Sequence, residues 1–323
     1  MAAGLNRGAR LLFHGAGGLR LVRWLHRKGL RILMYHRFPN AAGLDAQCRH
    51  IRKYYVPVSL SQVDSWLRCG GPLPPNAMAV TIDDGYRDFG DVAYPVLAAW
   101  QIPVTVYLVS DFLDGGIWLW VDQVRFAFAN SPVRRFRTEL PGGQVLEFAL
   151  ETPGQRRTAA RETCEALKLQ PDCVRVTWLG SMPEWLKISV PASPPVADAP
   201  LSWADVRRMA NGIVTFGAHT RTHPVLSRVG SQDGLTREIE GSKRRIEEVL
   251  GRPVEHFCYP NGGASDITPE CVEAVRRADF RTAVTTQTGL IHAGDDQLLL
   301  RRIGVEPDAD PLYFGQCAAA FRV

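Results

Sequence analysis

Residues 77–86 read AMAVTIDDGY, and this stretch decides how the chain folds. Its first six residues, Ala77–Ile82, form an apolar run of the length of one buried strand. Two adjacent carboxylates, Asp83 and Asp84, follow the run, and Gly85 comes next. Adjacent carboxylates repel each other when both are ionised, so their burial requires a cation or strong hydrogen-bond donors. The stretch predicts either a strand that ends in an acidic metal ligand or an ordinary Asp-Gly turn.

Similar short apolar runs recur along the chain, with helix-like segments between them. The predicted strands cover residues 30–35, 77–82, 104–109, 213–216, 256–259, 282–285 and 298–303. The predicted helices cover residues 45–54, 60–67, 91–100, 203–210, 235–250 and 268–278. Strand followed by helix, repeated, is typical of an α/β fold with a parallel sheet or barrel. The alternation of strand and helix is interrupted at about residues 117–200, where the sequence predicts a mostly helical, lid-like insertion.

The charge of the chain is uneven. Of its 323 residues, with a net charge of +5, the first 44 carry eight Arg or Lys and no acid. We therefore expect a basic arm at residues 1–28, followed by the barrel at 29–323. Apolar and cationic residues alternate at helical spacing in this arm, which predicts either packing on the domain or peripheral contact with an anionic membrane. Basic and aromatic residues do not alternate along the sequence beyond the arm, so we expect no nucleic-acid partner.

Other compositional features bear on where the chain works. The sequence has no apolar run of the ~20 residues that a membrane span requires and no recognisable secretory signal. Its seven cysteines are odd in number, scattered, and never in a CxxC pair. Reduced core thiols in a cytosol fit this pattern better than a disulfide framework. We therefore expect a cytoplasmic protein, with peripheral contact at the inner membrane face as an option.

A second motif, HTRTHP at residues 219–224, directly follows the predicted strand 213–216. If this segment makes a helical turn, His219 and His223 lie on one face and can reach a single divalent ion. Both histidines follow a strand, and the carboxyl ends of barrel strands gather active sites. One carboxylate with two histidines leaves coordination positions open, as in catalytic metal sites. The alternative is a chance pair of surface histidines.

A third motif, CYPNGG at residues 258–263, also closes a predicted strand. Pro260 and two glycines fix a turn whose backbone N–H groups can point into a cleft and receive an oxyanion. A plain strand-to-helix loop is the alternative. Trp118 and Trp120 could stack on sugar rings or anchor the insertion as apolar side chains.

Taken together, the motifs resemble the polysaccharide deacetylases of the NodB-homology family, carbohydrate esterase family four. The resemblance extends from ILMYHR at 32–37 through TIDDGYRD at 81–88, HTRTHP and CYPNGG to LRRIGV at 300–305. It implies a distorted (β/α) barrel of about seven strands. It also implies a polysaccharide deacetylase-type amidohydrolase that acts on linear amides and removes N-acetyl groups with the help of a divalent metal.

The resemblance assigns roles to residues by position. Asp83 would be the general base, and Asp84, His219 and His223 would be the metal ligands. Tyr259 would supply the backbone N–H of the oxyanion hole. Zinc is the first expectation for the ion, while this ligand set leaves cobalt, nickel and manganese open.

Two family features are missing from the expected places. Well-studied members carry an arginine shortly before the proline of the third motif, where this chain has His256, Phe257 and Cys258. Arg302, at the end of the last predicted strand, is our candidate to orient Asp83 instead. The late LxLH segment that often supplies the acid histidine is also absent. His36, at the end of the first predicted strand, is our candidate proton donor; the alternative is a structural histidine.

The leading functional hypothesis is a metal-dependent hydrolase that removes N-acetyl groups from an amino-sugar glycan or a lipid-linked glycan precursor, in exopolysaccharide biosynthesis for example. A second hypothesis is a barrel hydrolase of another non-peptide C–N bond. A third is a non-catalytic glycan-binding or assembly protein. We expect the N-acetylated glycan as the partner and predict no protein partner.

Overall fold

The computed structural model describes residues 17–321 and is built on a closed parallel barrel. The barrel strands are β1 (Arg31–Tyr35), β3 (Ala77–Ile82), β4 (Val104–Leu108), β7 (Val214–Ala218), β8 (His256–Cys258), β9 (Thr282–Thr288) and β10 (Leu300–Gly304). They neighbour one another in the order β1-β10-β9-β8-β7-β4-β3, and β3 returns to β1. The predicted α/β barrel of about seven strands is therefore confirmed.

Strand β1 closes the barrel because it pairs on both sides. Leu33 lies opposite Val80 of β3 and opposite Ile303 of β10. All three side chains are buried, as expected for parallel strands covered on both faces. A short strand that the sequence did not predict, β2 (Val56–Pro57), extends the sheet beyond β3. The carboxyl ends of the strands consequently meet at one rim, where the motif residues are collected.

Helices connect successive strands and cover the barrel. They are α1 (Gly18–Leu25), α2 (Ala41–Tyr54), α3 (Leu60–Cys69), α4 (Tyr94–Ala99), α5 (Ser110–Leu113), α6 (Trp120–Asn130), α7 (Pro153–Lys168), α8 (Asp172–Trp185), α9 (Trp203–Met209), α10 (Gln232–Leu250), α11 (Pro269–Arg277) and α12 (Pro311–Ala318). A π-helical turn, Phe89–Ala93, precedes α4, and single 3₁₀ turns occupy Val196–Asp198 and Leu226–Arg228. Ser59, Thr152 and Ser202 each form a capping box, which explains why α3, α7 and α9 begin where they do.

The stretch predicted as a mostly helical insertion contains α6, α7 and α8, and also a hairpin that the sequence did not predict. Strands β5 (Arg135–Glu139) and β6 (Val145–Ala149) pair antiparallel in this hairpin. Phe128, Phe136 and Trp178 pack edge to face within a hydrophobic cluster distinct from the barrel core. The insertion therefore has its own apolar centre.

Part of the predicted basic arm lies outside the described residues, because the structure describes the chain only from residue 17. The described part forms α1, which buries Leu19 and exposes Leu21, Trp24 and Leu25. Arg23, one of the cations of the basic arm, is buried with its guanidinium over the ring of Tyr54. This cation–π contact holds Arg23 on the protein side of the helix.

The remaining sequence-level expectations concern cysteines and membrane spans. All seven cysteines are free thiols, and five of them are buried. Among residues 17–321, no helix combines the length and the apolar character needed to cross a membrane.

Candidate active site at the rim of the barrel

The acidic pair leaves the barrel at the carboxyl end of β3. Asp84 and Gly85 both take the left-handed backbone region, with φ of 75° and 81°. A Cβ on Gly85 would lie 2.8 Å from the Cδ2 atom of Leu108, so only glycine fits this turn without displacement. The turn directs the two adjacent carboxylates to different partners, Asp83 towards Arg302 and Asp84 towards the two histidines.

The two histidines come from the loop after β7, and this loop is not the helical turn that their spacing allows. Thr220 and His223 have φ values of 66° and 60°, in the left-handed region that a right-handed helix excludes. The hydroxyl of Thr220 accepts a hydrogen bond from the His223 N–H at 3.0 Å and closes the loop. The imidazoles nevertheless converge, with ring centres 4.8 Å apart. Their convergence therefore comes from the tight loop rather than from helical spacing.

Asp84, His219 and His223 form a compact cluster of metal-ligating groups. Each histidine Nε2 lies 3.5 Å from Oδ1 of Asp84, and the three ligand atoms lie within 4.8 Å of one another. All three residues are buried. Two imidazole nitrogens and one carboxylate oxygen are a donor set that zinc and neighbouring divalent metals accept. These residues fit a divalent metal ion.

Hydrogen bonds fix the imidazole of His219 and the main chain at His223, whose own buried Nδ1 has no partner among the described residues. The Nδ1 atom of His219 lies 2.7 Å from the carbonyl oxygen of Cys258, so Nε2 is left to face Asp84. The indole N–H of Trp120 donates to the carbonyl oxygen of His223 at 3.2 Å. Burial, followed by repulsion from His219, lowers the pKa of His223 to about 3. His223 is consequently neutral at physiological pH, which is the form that binds a metal.

Asp83 is held by Arg302 of β10, the strand that lies beyond β1 as seen from β3. Two nitrogens of the Arg302 guanidinium donate to the two carboxylate oxygens of Asp83, both at 2.7 Å. Burial raises the pKa of Asp83, but the charge and hydrogen bonds of Arg302 outweigh it and lower that pKa overall. Arg302 is itself completely buried and donates to the carbonyl oxygen of Thr285 at 2.7 Å. Asp83 is therefore an oriented carboxylate that stays ionised.

Asp83, His219 and Cys258 form a second group whose ligand atoms lie close together. The Arg302 guanidinium occupies this group, because it binds Asp83 and also lies 3.3 Å from the Cys258 sulfur. A metal ion here would face a buried arginine cation at close range. The group around Asp84 is therefore the better metal site.

The other two predicted site residues, His36 and Tyr259, also lie near this centre. The His36 Nε2 atom is 3.6 Å from Oδ2 of Asp83, and nearly half of its side chain is exposed. The backbone N–H of Tyr259 donates to the carbonyl oxygen of Val284 at 3.2 Å. An oxyanion could use this N–H only in place of Val284, so the structure does not present Tyr259 as a free donor. The cause is the parallel pairing of β8 with β9, which continues one residue beyond β8.

Tyr86, Asp122 and Trp120 support the site, and motif reasoning did not identify these roles. The Tyr86 hydroxyl donates to Asp122, which comes from the first turn of α6. Trp118 and Trp120 are almost completely buried, so the apolar-anchor interpretation applies and neither offers a ring face to a sugar. The WLW sequence at 118–120 was the available signal, since two nearby tryptophans at the start of an insertion indicate a fixed junction.

Part of the chain is similar in sequence to known proteins. Residues 178–283 match the family model described as polysaccharide deacetylase. Over 60 residues the chain is 40% identical to the poly-beta-1,6-N-acetyl-D-glucosamine N-deacetylase of Escherichia coli strain K12. This match covers 19% of the present chain and only 9% of the length of that relative.

Similar solved structures cover almost the whole chain. The deacetylase PplD of Streptococcus pyogenes, in complex with acetate, has a TM-score of 0.59 at 19% identity, covering 90% of this chain and 98% of that one. IcaB from Ammonifex degensii has a TM-score of 0.58 at 18% identity, covering 90% and 97%. A de-N-acetylase from Aggregatibacter actinomycetemcomitans has a TM-score of 0.56 at 17% identity, covering 87% and 97%. At these identities the likeness shows the barrel fold.

Proposed function

We propose, from the premise that this chain has the motifs and the barrel of the polysaccharide deacetylases, that it is a metal-dependent amidohydrolase of N-acetylated glycans. The observation that carries the proposal is the convergence of Asp84, His219 and His223 on one point, with Asp83 beside them and held by Arg302. A carboxylate that is oriented but left out of the ligand set is available to take up a proton.

Three groups of the chain divide the chemistry of amide hydrolysis. Asp83, ionised and fixed by Arg302, accepts the proton of the attacking water. His36 lies beside Asp83 and its side chain reaches solvent. We propose that His36 donates the proton that the departing sugar nitrogen requires. Asp84, His219 and His223 would hold a divalent ion, which when bound would polarise the acetyl carbonyl and lower the pKa of water. The Arg302 contacts keep Asp83 in the protonation state that this scheme needs.

The family model and one relative support a substrate class. The Escherichia coli relative is named for its action on poly-beta-1,6-N-acetyl-D-glucosamine. We infer that this chain removes N-acetyl groups from a glycan that contains an amino sugar, either free or as a lipid-linked precursor. Oligomers of β-1,6-linked N-acetylglucosamine are therefore the first substrates to test.

The test measures acetate release from these oligomers by the full chain. We expect chelation to abolish release, and zinc, cobalt, nickel or manganese added singly to restore it to an extent that identifies the metal.

Asp83→Asn should lose turnover while still binding the metal, whereas His223→Gln should lose metal binding. His292→Gln, in an exposed loop, is the matched control. Release that is indifferent to chelation would contradict the proposal. Hydrolysis of small amides but not glycans would favour another C–N hydrolase, and sugar binding without turnover would favour a binding protein.

We also propose that helix α1 contacts an anionic membrane surface. The exposed fractions of Leu21, Trp24 and Leu25 are 57%, 57% and 60%, and these residues share one helical face. Arg20, Arg27 and Lys28 flank that face, and the Arg27 guanidinium stacks on the Trp24 ring at 4.5 Å. An exposed apolar face with flanking cations matches an interface between acyl chains and anionic headgroups.

Cosedimentation with lipid vesicles tests this contact. We expect the full chain to bind phosphatidylglycerol vesicles, to bind phosphatidylcholine vesicles weakly, and to be released by salt. Trp24→Gln should reduce binding several-fold, whereas Trp185→Gln, which alters another exposed tryptophan, should not. Equal binding by both variants would contradict a role for α1.

A further inference from the structure

A groove that the proposed chemistry does not use lies between α6 and α7 of the insertion. Its volume is about 770 Å³, within the usual range of about 300–1,000 Å³ for small-molecule sites. Val121, Ala160 and Cys164 contribute an apolar floor, and the last two are buried. Arg156 donates to the carbonyl oxygens of Phe128 and Ser131 and thereby joins the start of α7 to the end of α6. The two walls are therefore fixed relative to each other.

Cations surround this groove. Arg157, Arg161 and Lys168 lie along one side of α7, and Arg125 faces them from α6. In the described part of the chain, Arg157 takes part in no hydrogen bond or ion pair, and Arg161 contacts only its exposed neighbour Glu162 at 3.2 Å. The lining has five cations and two carboxylates, so it carries a net positive charge. Such a rim favours an anion, and guanidinium groups suit phosphate in particular.

The rest of the lining indicates what the anion is attached to. Of the described residues that line the groove, none has an aromatic ring or a side-chain amide. Sugars and nucleobases are usually bound by such rings and amides, which stack on and hydrogen-bond to their ligands. An aliphatic floor beneath a cationic rim instead matches a hydrocarbon chain that ends in a phosphate.

The groove also connects to the proposed active site through Arg125. The guanidinium of Arg125 donates to Asp122 at 3.1 Å, and Asp122 accepts the hydroxyl of Tyr86, which follows the acidic pair. We propose that the groove binds the phosphate-bearing lipid chain of a lipid-linked glycan, with the sugars extending towards the barrel rim. This inference rests on the proposed deacetylase function and specifies its substrate class.

Direct binding measurements on the full chain test the proposal without requiring turnover. The probes are decyl phosphate below its micelle concentration, decanol and inorganic phosphate, each titrated calorimetrically. We expect decyl phosphate to bind at least roughly tenfold more tightly than either of the other two, because each lacks one half of the recognised chemistry. Tighter or equal binding of decanol or of inorganic phosphate would overturn the proposal.

Substitutions in the groove test whether decyl phosphate binds there. Arg157→Glu combined with Arg161→Glu should weaken decyl phosphate binding by roughly tenfold or more, because these substitutions remove the anion partners. Ala160→Trp should abolish binding by filling the floor. Arg207→Glu, which changes an exposed arginine on α9, is the matched control and should bind normally. Binding that the groove variants leave at the control level would overturn the proposal. If decyl phosphate binding is unchanged in the groove variants but acetate release from free oligomers persists, only the lipid site is contradicted and the proposed deacetylase function is not.

Discussion

At the scale of single residues, the pair Asp83 and Arg302 determines the proposed chemistry. Burial alone would favour the protonated carboxylic acid, and the two-pronged contact with Arg302 reverses that preference. Lysine could not donate to both carboxylate oxygens in the same geometry. The guanidinium therefore sets both the direction and the charge of the proposed base.

Replacing this guanidinium should change the pH dependence of the reaction. In Arg302→Met, the pKa of Asp83 rises because the largest contribution that opposes burial is removed, so the acid limb of the kcat/KM profile moves to higher pH. We expect activity at neutral pH to fall by roughly 100-fold. Because an unpaired buried carboxylate can cost about 3–5 kcal/mol of stability, circular dichroism must first show that the variant folds. Arg301→Met alters the exposed neighbouring residue and serves as the control. A variant whose acid limb stays in place would show that Arg302 does not act on Asp83.

The proposed role of His36 can be separated from that of Asp83 by the leaving group. An amine leaving group needs a proton, whereas a nitrophenolate does not. We therefore expect His36→Gln to lower kcat for the N-acetylated glycan by roughly 100-fold and to leave hydrolysis of 4-nitrophenyl acetate nearly unchanged. Stopped-flow or steady-state rates for the two substrates provide the comparison. An equal loss for both substrates would mean that His36 positions Asp83 rather than donating a proton.

At the scale of elements, the loop that carries His219 and His223 is held by the neighbouring helix α10. Glu238 of this helix accepts the backbone N–H groups of Arg221 and Thr222, both at 2.9 Å, and the Thr222 hydroxyl at 2.8 Å. A loop with two non-glycine residues in the left-handed region needs such external support. The Glu238 carboxylate therefore keeps the two proposed histidine ligands in place from outside the proposed metal site.

Replacing Glu238 should lower the affinity of the proposed site for metal. We expect Glu238→Ala to weaken binding of zinc, measured by competition with a chelating dye, by roughly 10- to 100-fold, as for other residues that orient metal ligands. Glu240→Ala, which lies two residues further along the same helix and has no role in the loop, is the control. Unchanged zinc affinity in Glu238→Ala would show that the loop keeps its shape without Glu238.

The elements differ in how far the sequence could predict them. Strands β3 and β4 are completely buried apolar runs, so their positions follow from the local sequence pattern. The hairpin Arg135–Glu139 and Val145–Ala149 alternates exposed charged residues with few buried ones, and this weak pattern hid it. The proposed metal ligands Asp84, His219 and His223 could be predicted because they follow strands. The loop shape at His223 could not, since no glycine marks its left-handed backbone.

At the scale of the whole molecule, the barrel carries a buried histidine outside the proposed chemistry. His256 begins β8, with Nδ1 2.8 Å from the Thr282 hydroxyl, and its buried Nε2 has no partner among the described residues. Burial, with a smaller contribution from Arg281, lowers the pKa of His256 to about 4 from an ordinary value of 6.5. The barrel therefore stabilises the neutral imidazole and disfavours the imidazolium.

This preference predicts how the stability of the fold depends on pH. Between pH 6.5 and pH 4 the unfolded chain binds a proton at His256 that the folded chain rejects. The free energy of unfolding should therefore fall as the pH drops through this window, by a total of about 3 kcal/mol from this group. His256→Gln should remove that part of the dependence, as measured by urea unfolding at pH 4, 5, 6 and 7. His223, whose pKa is also lowered, contributes to both proteins and so cancels in the comparison. His292→Gln, at an exposed histidine, should keep the wild-type slope, and a wild-type slope in His256→Gln would place the acid sensitivity of the barrel elsewhere.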